Sequence, residues 1–148
     1  MNTLNLGAGT RIIEGAVNHD IIAHPGVDVV HDLDDLPWPW ADNSFDRIDA
    51  RSVFEHLELT LLETLDECWR ILRPDGALVL VYPVHTSHTS WDDPTHRWHW
   101  TPESLDYADP ETRYGEQVTT YRRHDWEIVS RGVIKGRNVK AVLKPRGK

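Results

Sequence analysis

The segment Leu4–Thr10, LNLGAGT, constrains the fold more than any other stretch of the chain. A short apolar run ends in two glycines, Gly7 and Gly9, one residue apart. This is the pattern of a strand entering a tight turn where backbone comes close to a ligand. Glycine takes positive φ without steric cost and leaves room for the approach. The segment sets a first strand, a ligand site at that strand's C-terminal end, and a twisted, mostly parallel sheet.

The rest of the chain supplies the other strands. Ala16–His19, Val27–Val30 and Asp46–Ala50 read as short strands, the first ending at Asp20 and the second at His31 and Asp32. Ala77–Tyr82, ALVLVY, is a continuous apolar run, as a central strand buried on both faces requires. Glu127–Val133 and Val139–Leu143, joined near Gly136, read as a terminal antiparallel hairpin. The expected fold is therefore α/β: a Rossmann-like, mostly parallel seven-stranded sheet with a terminal antiparallel hairpin, in one domain over residues 1–148.

One helix is well signalled. Thr60 and Glu63 fit a capping box, and Leu61, Leu62, Leu65, Trp69 and Leu72 form one apolar stripe. Pro74-Asp75-Gly76 reads as the turn into the next strand. A second, short helix is expected from Thr101-Pro102-Glu103, with threonine as N-cap and proline at N1. Helices are otherwise scarce. Only Gly7 to Gly15 separate the first two strands and only Ile21 to Gly26 the next two, whereas a parallel crossover usually takes a dozen residues or more. One sheet face is thus expected to lack helices. A second subunit or the tryptophan-rich loops would close it, so a homo-oligomer or a subunit of a larger complex is expected.

No apolar run reaches the roughly 20 residues of a membrane span, and no leader-like segment precedes the first strand. The single cysteine, Cys68, forms no internal disulfide and fits a reducing cytoplasm. Net charge is −8, unevenly spread: Arg122–Lys148 holds nine Lys/Arg against two Asp/Glu. The basic residues are scattered and carry no nucleic-acid motif, so a solvated hairpin is favoured over a nucleic-acid surface.

Gly7, Gly9, Asp20, Asp32 and Leu33 form an ordered set at strand ends. Carboxylates there accept hydrogen bonds from ribose hydroxyls or an adenine amino group. A dinucleotide fingerprint fits worse, since position 12 is Ile and Asp20 follows Gly9 by only eleven residues. With these motifs the chain resembles the class I S-adenosylmethionine-dependent methyltransferases, in particular the small type 11-like group. The resemblance lies in LNLGAGT, in VNHD (Val17–Asp20), in the block from Val27 to Leu57, in CWRILRPDGALVLVYP (Cys68–Pro83) and in DDPTHRWHWTPESL (Asp92–Leu105). It covers residues 3 to 105, and the remainder only by strand pattern.

The resemblance implies a cofactor, S-adenosylmethionine, released as S-adenosylhomocysteine. It implies that Gly7, Ala8 and Gly9 line the methionine end, with Asn5 and Leu6 before them also cofactor-binding, that Asp20 binds the ribose hydroxyls and that Asp32 and Leu33 contact the adenine. Arg51 and Ser52 would border the sulfonium, with Glu55 and His56 behind them. The usual helices after the glycine turn and after the second strand are absent or vestigial here, which implies a more exposed cofactor.

His85, His88, His96 and His99 lie close together with Asp92 and Asp93. Their spacing resembles that of metal ligands. The favoured reading is a hydrogen-bonded loop over the site with no metal. Trp38 and Trp40, and Trp91, Trp98 and Trp100, would cover the open sheet face or make a subunit contact, with stacking on a planar or sugar-like acceptor as the other reading. An oxygen or protonated-amine acceptor needs a base. The candidates are His56 and His96, then His99 and Asp93, with His56 placed first because it follows the fourth strand on the pocket side. The function expected is methyl transfer to an unidentified acceptor, a small molecule, sugar or glycan. The alternative is a shortened binding or scaffold subunit that keeps the cofactor pocket and needs a partner for activity.

Overall fold

A computed structural model describes all residues, Met1–Lys148. Seven strands form one sheet: β1 (Thr3–Leu6), β2 (Val17–Asp20), β3 (Val29–Val30), β4 (Phe45–Arg51), β5 (Leu72–Pro83), β6 (Trp126–Ile134) and β7 (Asn138–Pro145). Their order is β3-β2-β1-β4-β5-β7-β6. The first five pair in parallel, and β7 runs antiparallel to both β5 and β6. The order reverses between β1 and β4, so the switch point where such sheets bind ligands lies at the C-terminal ends of these two strands. No helix of the chain is long and apolar enough to cross a membrane.

The α/β expectation holds, and the strand assignments hold to within two or three residues except in β5. There Phe45 pairs with Leu72 but Arg47 with Ala77, so Arg73–Gly76 forms a bulge inside the strand. The expected Pro-Asp-Gly turn is this bulge. Proline is accommodated because the bulge takes it out of the ladder.

The principal helix, α1 (Leu61–Ile71), starts at Thr60 as its sequence requires. The Thr60 hydroxyl accepts from the Glu63 amide at 3.3 Å, and the Glu63 carboxylate accepts from the Thr60 amide at 2.8 Å. At the other end the Lys148 ammonium donates to the carbonyls of Trp69, Arg70 and Leu72, which satisfies acceptors left open by the last turn. Two shorter helices follow, α2 (His88–Asp92) and α3 (Arg113–Gln117). The segment begun by Thr101-Pro102 is a 3₁₀ helix, Pro102–Ala108.

One sheet face is packed and the other is open. Leu4, Leu6, Ile48, Ala50, Leu78, Leu80, Ala141 and Leu143 are all buried and alternate along their strands. With Leu65, Cys68 and Ile71 of α1 they form the core. The alternate positions are different. Asn5 and Asn18 hydrogen-bond to each other and to the backbone of Arg11 and Ile13, so the loop after Gly9 covers that end of the second face. Further along, the face carries the Arg47–Asp49 ion pair at 2.7 Å and the exposed Lys140 and Lys144. No helix lies over these residues, in line with the shortage of helices in the sequence.

The tryptophans do not close this face. Trp38 is 2% exposed and Trp126 1% exposed within the core, and Trp40 and Trp100 pack against it. Trp40 meets Trp38, Phe45 and His19 edge-on. They stand on the same side as α1, with the buried core. Arg70 ties this loop to α1, donating to the carbonyls of Trp38 and Trp40 and to Glu67 and Asp42.

The basic end is partly neutralised. Arg122 pairs with Asp125, Arg131 with Asp106, and Arg146 with Asp109 and Glu111. These contacts use charges that a polyanion surface would need.

Trp38 donates its indole N–H to the Leu33 carbonyl at 2.8 Å. Replacing it with phenylalanine keeps a ring but strands a buried acceptor. Trp38→Phe is expected to lower stability by about 1–3 kcal/mol, measured as a fall in urea midpoint with an unchanged slope.

Candidate functional site

The switch point opens into a cleft of about 310 Å³ lined by Gly7, Asp20, Asp32, Leu33, Ser52 and His56, among others. Larger hollows flank α1, but they touch none of the strand ends. The cleft is built by the glycine turn. Gly7 and Gly9 take φ of +59° and +52°, the left-handed region. A Cβ on Gly7 would come within 2.3 Å of Val53 Cγ2, whereas one on Gly9 meets nothing within 4 Å. Gly7 is thus required by packing and conformation, Gly9 by conformation alone.

The end of β2 holds the turn. The Gly9 amide donates to Asp20 Oδ2 at 2.8 Å and the Gly7 amide to His19 Nδ1 at 3.3 Å. His19 Nε2 lies 2.8 Å from the His31 carbonyl. A carbonyl only accepts, so Nε2 carries the proton and Nδ1 is the acceptor. His19 is therefore neutral, and burial holds its pKa below the usual histidine value. Sequence reasoning missed His19. Its signal was position, one residue before the strand-terminal Asp20.

Asp20 is nearly buried, and its Oδ1 also accepts from the Ile22 amide at 3.0 Å. Each carboxylate oxygen has a second lone pair, which leaves acceptor capacity beside the cleft. Asp32 Oδ1 accepts from the Asp34 amide. The Leu33 amide makes no hydrogen bond within the chain. An adenine edge offers both a donor for a carboxylate and an acceptor for such an amide, so the residues present fit an adenosyl group. Ala8 is anchored through its amide to the His19 carbonyl. Leu6 is in the core. Asn5 faces the other way, with its side chain holding Arg11 and Asn18, so it supports the turn and does not line the cleft. Arg51 is exposed at the end of β4 and lines no cleft.

Ser52 has φ +54°, unusual for a residue with a Cβ, and its amide donates to the Val81 carbonyl. Such a conformation costs about 1–2 kcal/mol. Ser52 also lines a second cleft of about 400 Å³, together with Glu55, Asp93, His96, Arg137 and Asn138. The second cleft has no hydrophobic side chain apart from Pro83. The two clefts meet at Ser52.

His56 and His96 come together although 40 positions apart, with ring centroids 4.6 Å apart. The Arg97 and Trp98 amides donate to the Glu55 carbonyl, which draws the later loop onto the 3₁₀ turn Phe54–His56. Glu55 is 1% exposed, and neither carboxylate oxygen has a hydrogen-bond partner. Burial pushes its carboxyl up to about 7. His99 lies apart, stacked on Trp91 and hydrogen-bonded to Ser90 Oγ. Asp93 is used by its own turn, where Oδ1 accepts from the Thr95 amide and hydroxyl.

A model of the methyltransferase domain of the type 11 group matches residues 9–80. No curated protein matches the sequence. Among solved structures, the chain is similar to a SAM-dependent methyltransferase from Archaeoglobus fulgidus, at 18% identity and TM-score 0.66 over 97% of this chain and 85% of that one. It is similar at 15% identity and TM-score 0.66, over 97% and 81%, to a chain of the Haloferax volcanii complex between the Trm112 methyltransferase activator and a putative methyltransferase. It is also similar to the [4+2]-cyclase SpnF, at 14% identity and TM-score 0.65, over 97% and 74%. At these identities the structures establish the fold. The chain has the fold of these methyltransferases, and residues 9–80 match the model of a methyltransferase domain.

Two predictions follow from the turn. Gly7→Ala is expected to destabilise by about 2–4 kcal/mol, and Val53→Ala in the same chain to restore part of the loss. Gly9→Ala is expected to cost only about 1–2 kcal/mol. Denaturant titrations of the four proteins check this. His19 sets a pH dependence. Because folding lowers its pKa, the unfolded chain binds more protons in mild acid. Its stabilisation is complete above the ordinary histidine value and is lost as pH falls through the lower, folded one. His19→Asn is expected to flatten the acid limb of a plot of urea midpoint against pH.

Proposed function

We propose that this protein transfers a methyl group from S-adenosylmethionine to a polar acceptor, a small molecule, sugar or glycan, held in the second cleft. The observation that carries the reading is that the strand-end cleft and the polar cleft share one residue, Ser52. Methyl transfer from a sulfonium is an in-line displacement, so the donor carbon and the acceptor atom must meet from opposite sides of such a junction.

The cofactor supplies an already activated methyl group. The chain's residues have the other tasks. The spare lone pairs of Asp20 are suited to the ribose hydroxyls, and the Asp32 carboxylate and Leu33 amide to the adenine edge. Gly7, backed by Ala8 and Gly9, leaves space for the methionine end. Arg137 and Asn138 offer donors to orient a hydroxyl-rich or anionic acceptor. His56 and His96 face the two clefts, one each, and are the groups proposed to take up the acceptor's proton. Both keep a free Nε2, because Nδ1 is held by Thr95 Oγ1 and by the Ser90 carbonyl respectively.

A second reading is a subunit that is active only when a partner is bound. The helix-free polar face from Arg47 to Lys144 favours it, and one similar chain is seen with its Trm112 activator.

Calorimetric titration of the purified chain with S-adenosylmethionine and S-adenosylhomocysteine tests the proposal, with NAD as control. Micromolar binding is expected for the first two and none for NAD. Asp32→Ala and Asp20→Asn are each expected to weaken it at least tenfold, and circular dichroism checks that both remain folded. Absence of binding to both ligands by the folded wild-type chain would overturn the reading for the isolated protein.

A further inference from the structure

The strongest unexplained feature is the Glu55 carboxylate. It is buried at 1% exposure, accepts no hydrogen bond from any other residue, and lies beside two imidazoles. A buried carboxylate without a partner is rare in a folded protein because its desolvation is uncompensated. Its Oε1 lies 3.9 Å from His96 Nε2. Ligand atoms of Glu55, His56 and His96 all lie within 4.8 Å of one another.

The hydrogen bonds around this trio fix which nitrogens are free. His96 Nδ1 lies 2.9 Å from the Ser90 carbonyl, which only accepts, so Nδ1 carries the proton. The Thr95 hydroxyl donates its own proton to Asp93 Oδ1, so it accepts from His56 Nδ1 at 2.9 Å. The neutral form of each imidazole therefore presents its lone pair at Nε2, and each ring is oriented by an outer hydrogen bond. That arrangement is the one found around histidine ligands of metals, where the second ring nitrogen donates to a carbonyl or an oxygen acceptor. Asp93 Oδ2, which has no hydrogen-bond partner, stands 3.6 Å from His96 Nε2 at the edge of the trio.

We propose that Glu55, His56 and His96 form a binding site for a divalent first-row transition metal, with Zn²⁺ as the reference ion. Two imidazole nitrogens and one carboxylate oxygen are a set that binds zinc and leaves one position open. Donors in a tetrahedral site stand about 3.4 Å apart when bonds are near 2.1 Å, so the trio closes on the ion by small side-chain rotations. The open position faces the polar cleft beside Ser52, where an acceptor hydroxyl or carboxylate could complete the coordination. The histidine-rich loop is not itself the site: His85, His88 and His99 lie outside the trio, and Glu55 and His56 come from the turn after β4.

An ion held by both Nε2 atoms takes them from the proton-accepting role given to His56 and His96 above, so the two assignments exclude each other while the ion is bound; cofactor binding in the first cleft does not depend on the choice, and the test needs no cofactor. Protein purified without an affinity tag is stripped with EDTA and titrated with ZnCl₂ in a calorimeter. It is then titrated with CoCl₂ while visible absorption is recorded. One equivalent of Zn²⁺ is expected at micromolar or lower Kd, with the intense d–d bands of a four- or five-coordinate Co²⁺ site. Glu55→Gln and His96→Gln are expected to weaken Zn²⁺ at least tenfold, and the double variant His85→Gln/His88→Gln to leave it unchanged. Circular dichroism confirms that each variant is folded. No Zn²⁺ binding by the wild type would overturn the proposal. So would binding insensitive to Glu55→Gln and His96→Gln, or binding abolished only in the His85/His88 variant.

Discussion

A glycine turn with no helix behind it has to be held from the side, and the last two residues of β2 hold it. His19 and Asp20 point to opposite faces of the strand. They reach the amides of Gly7 and Gly9 and so grip the turn from both sides of the sheet. Longer folds of this type pack a helix against the turn. Here two hydrogen bonds and the Gly7–Val53 contact do that work. The arrangement couples the ligand cleft to the protonation of one buried imidazole, whose other nitrogen fixes the end of β3.

That grip has a second layer. The His19 ring meets Trp40 edge-on, and Trp40 sits in the loop that Arg70 clamps onto α1. Trp38 in the same loop bonds the Leu33 carbonyl, and the Leu33 amide makes no hydrogen bond within the chain. The two tryptophans are therefore structural parts of the cofactor side of the site. They link the best-formed helix, whose ends are capped by Thr60 and Lys148, to the residues expected to meet an adenine.

The strands and α1 were legible because short apolar runs and the 3.6-residue stripe are local signals, as in Leu4–Leu6, Ala77–Tyr82 and Leu61–Leu65. The glycine turn was legible because few residues other than glycine adopt its backbone. The destination of the tryptophans was not, since an aromatic residue in a Pro-rich loop carries no period that says which sheet face it will cover. The bulge at Arg73–Gly76 read as a turn because its composition is that of a turn, and only pairing with Phe45 reveals the strand around it. Asn5 points away from the cleft for a geometric reason: it lies one step from Leu6 and Leu4, and so faces the opposite side of the sheet, where it holds Arg11 and Asn18. The meeting of Glu55 with His96 was illegible in principle. It depends on backbone hydrogen bonds from Arg97 and Trp98 to the Glu55 carbonyl, and no spacing in the sequence encodes them.

The fold alone does not choose the chemistry, since a similar architecture at 14% identity is a [4+2]-cyclase. What distinguishes this chain is the contrast between its two clefts. The first combines glycine backbone, strand-end carboxylates and the buried Leu33, the properties needed to enclose a nucleoside. The second has polar and charged walls and a carboxylate that folding leaves unpaired. Leaving Glu55 unpaired works against folding, whereas a methionine or leucine at that position would have packed at no such cost. Retaining a carboxylate there, between two imidazoles whose outer nitrogens are already engaged, is understandable if something positively charged or proton-donating is to enter from the cleft. Ser52, strained and shared by both clefts, stands where that occupant and the first cleft's ligand would meet.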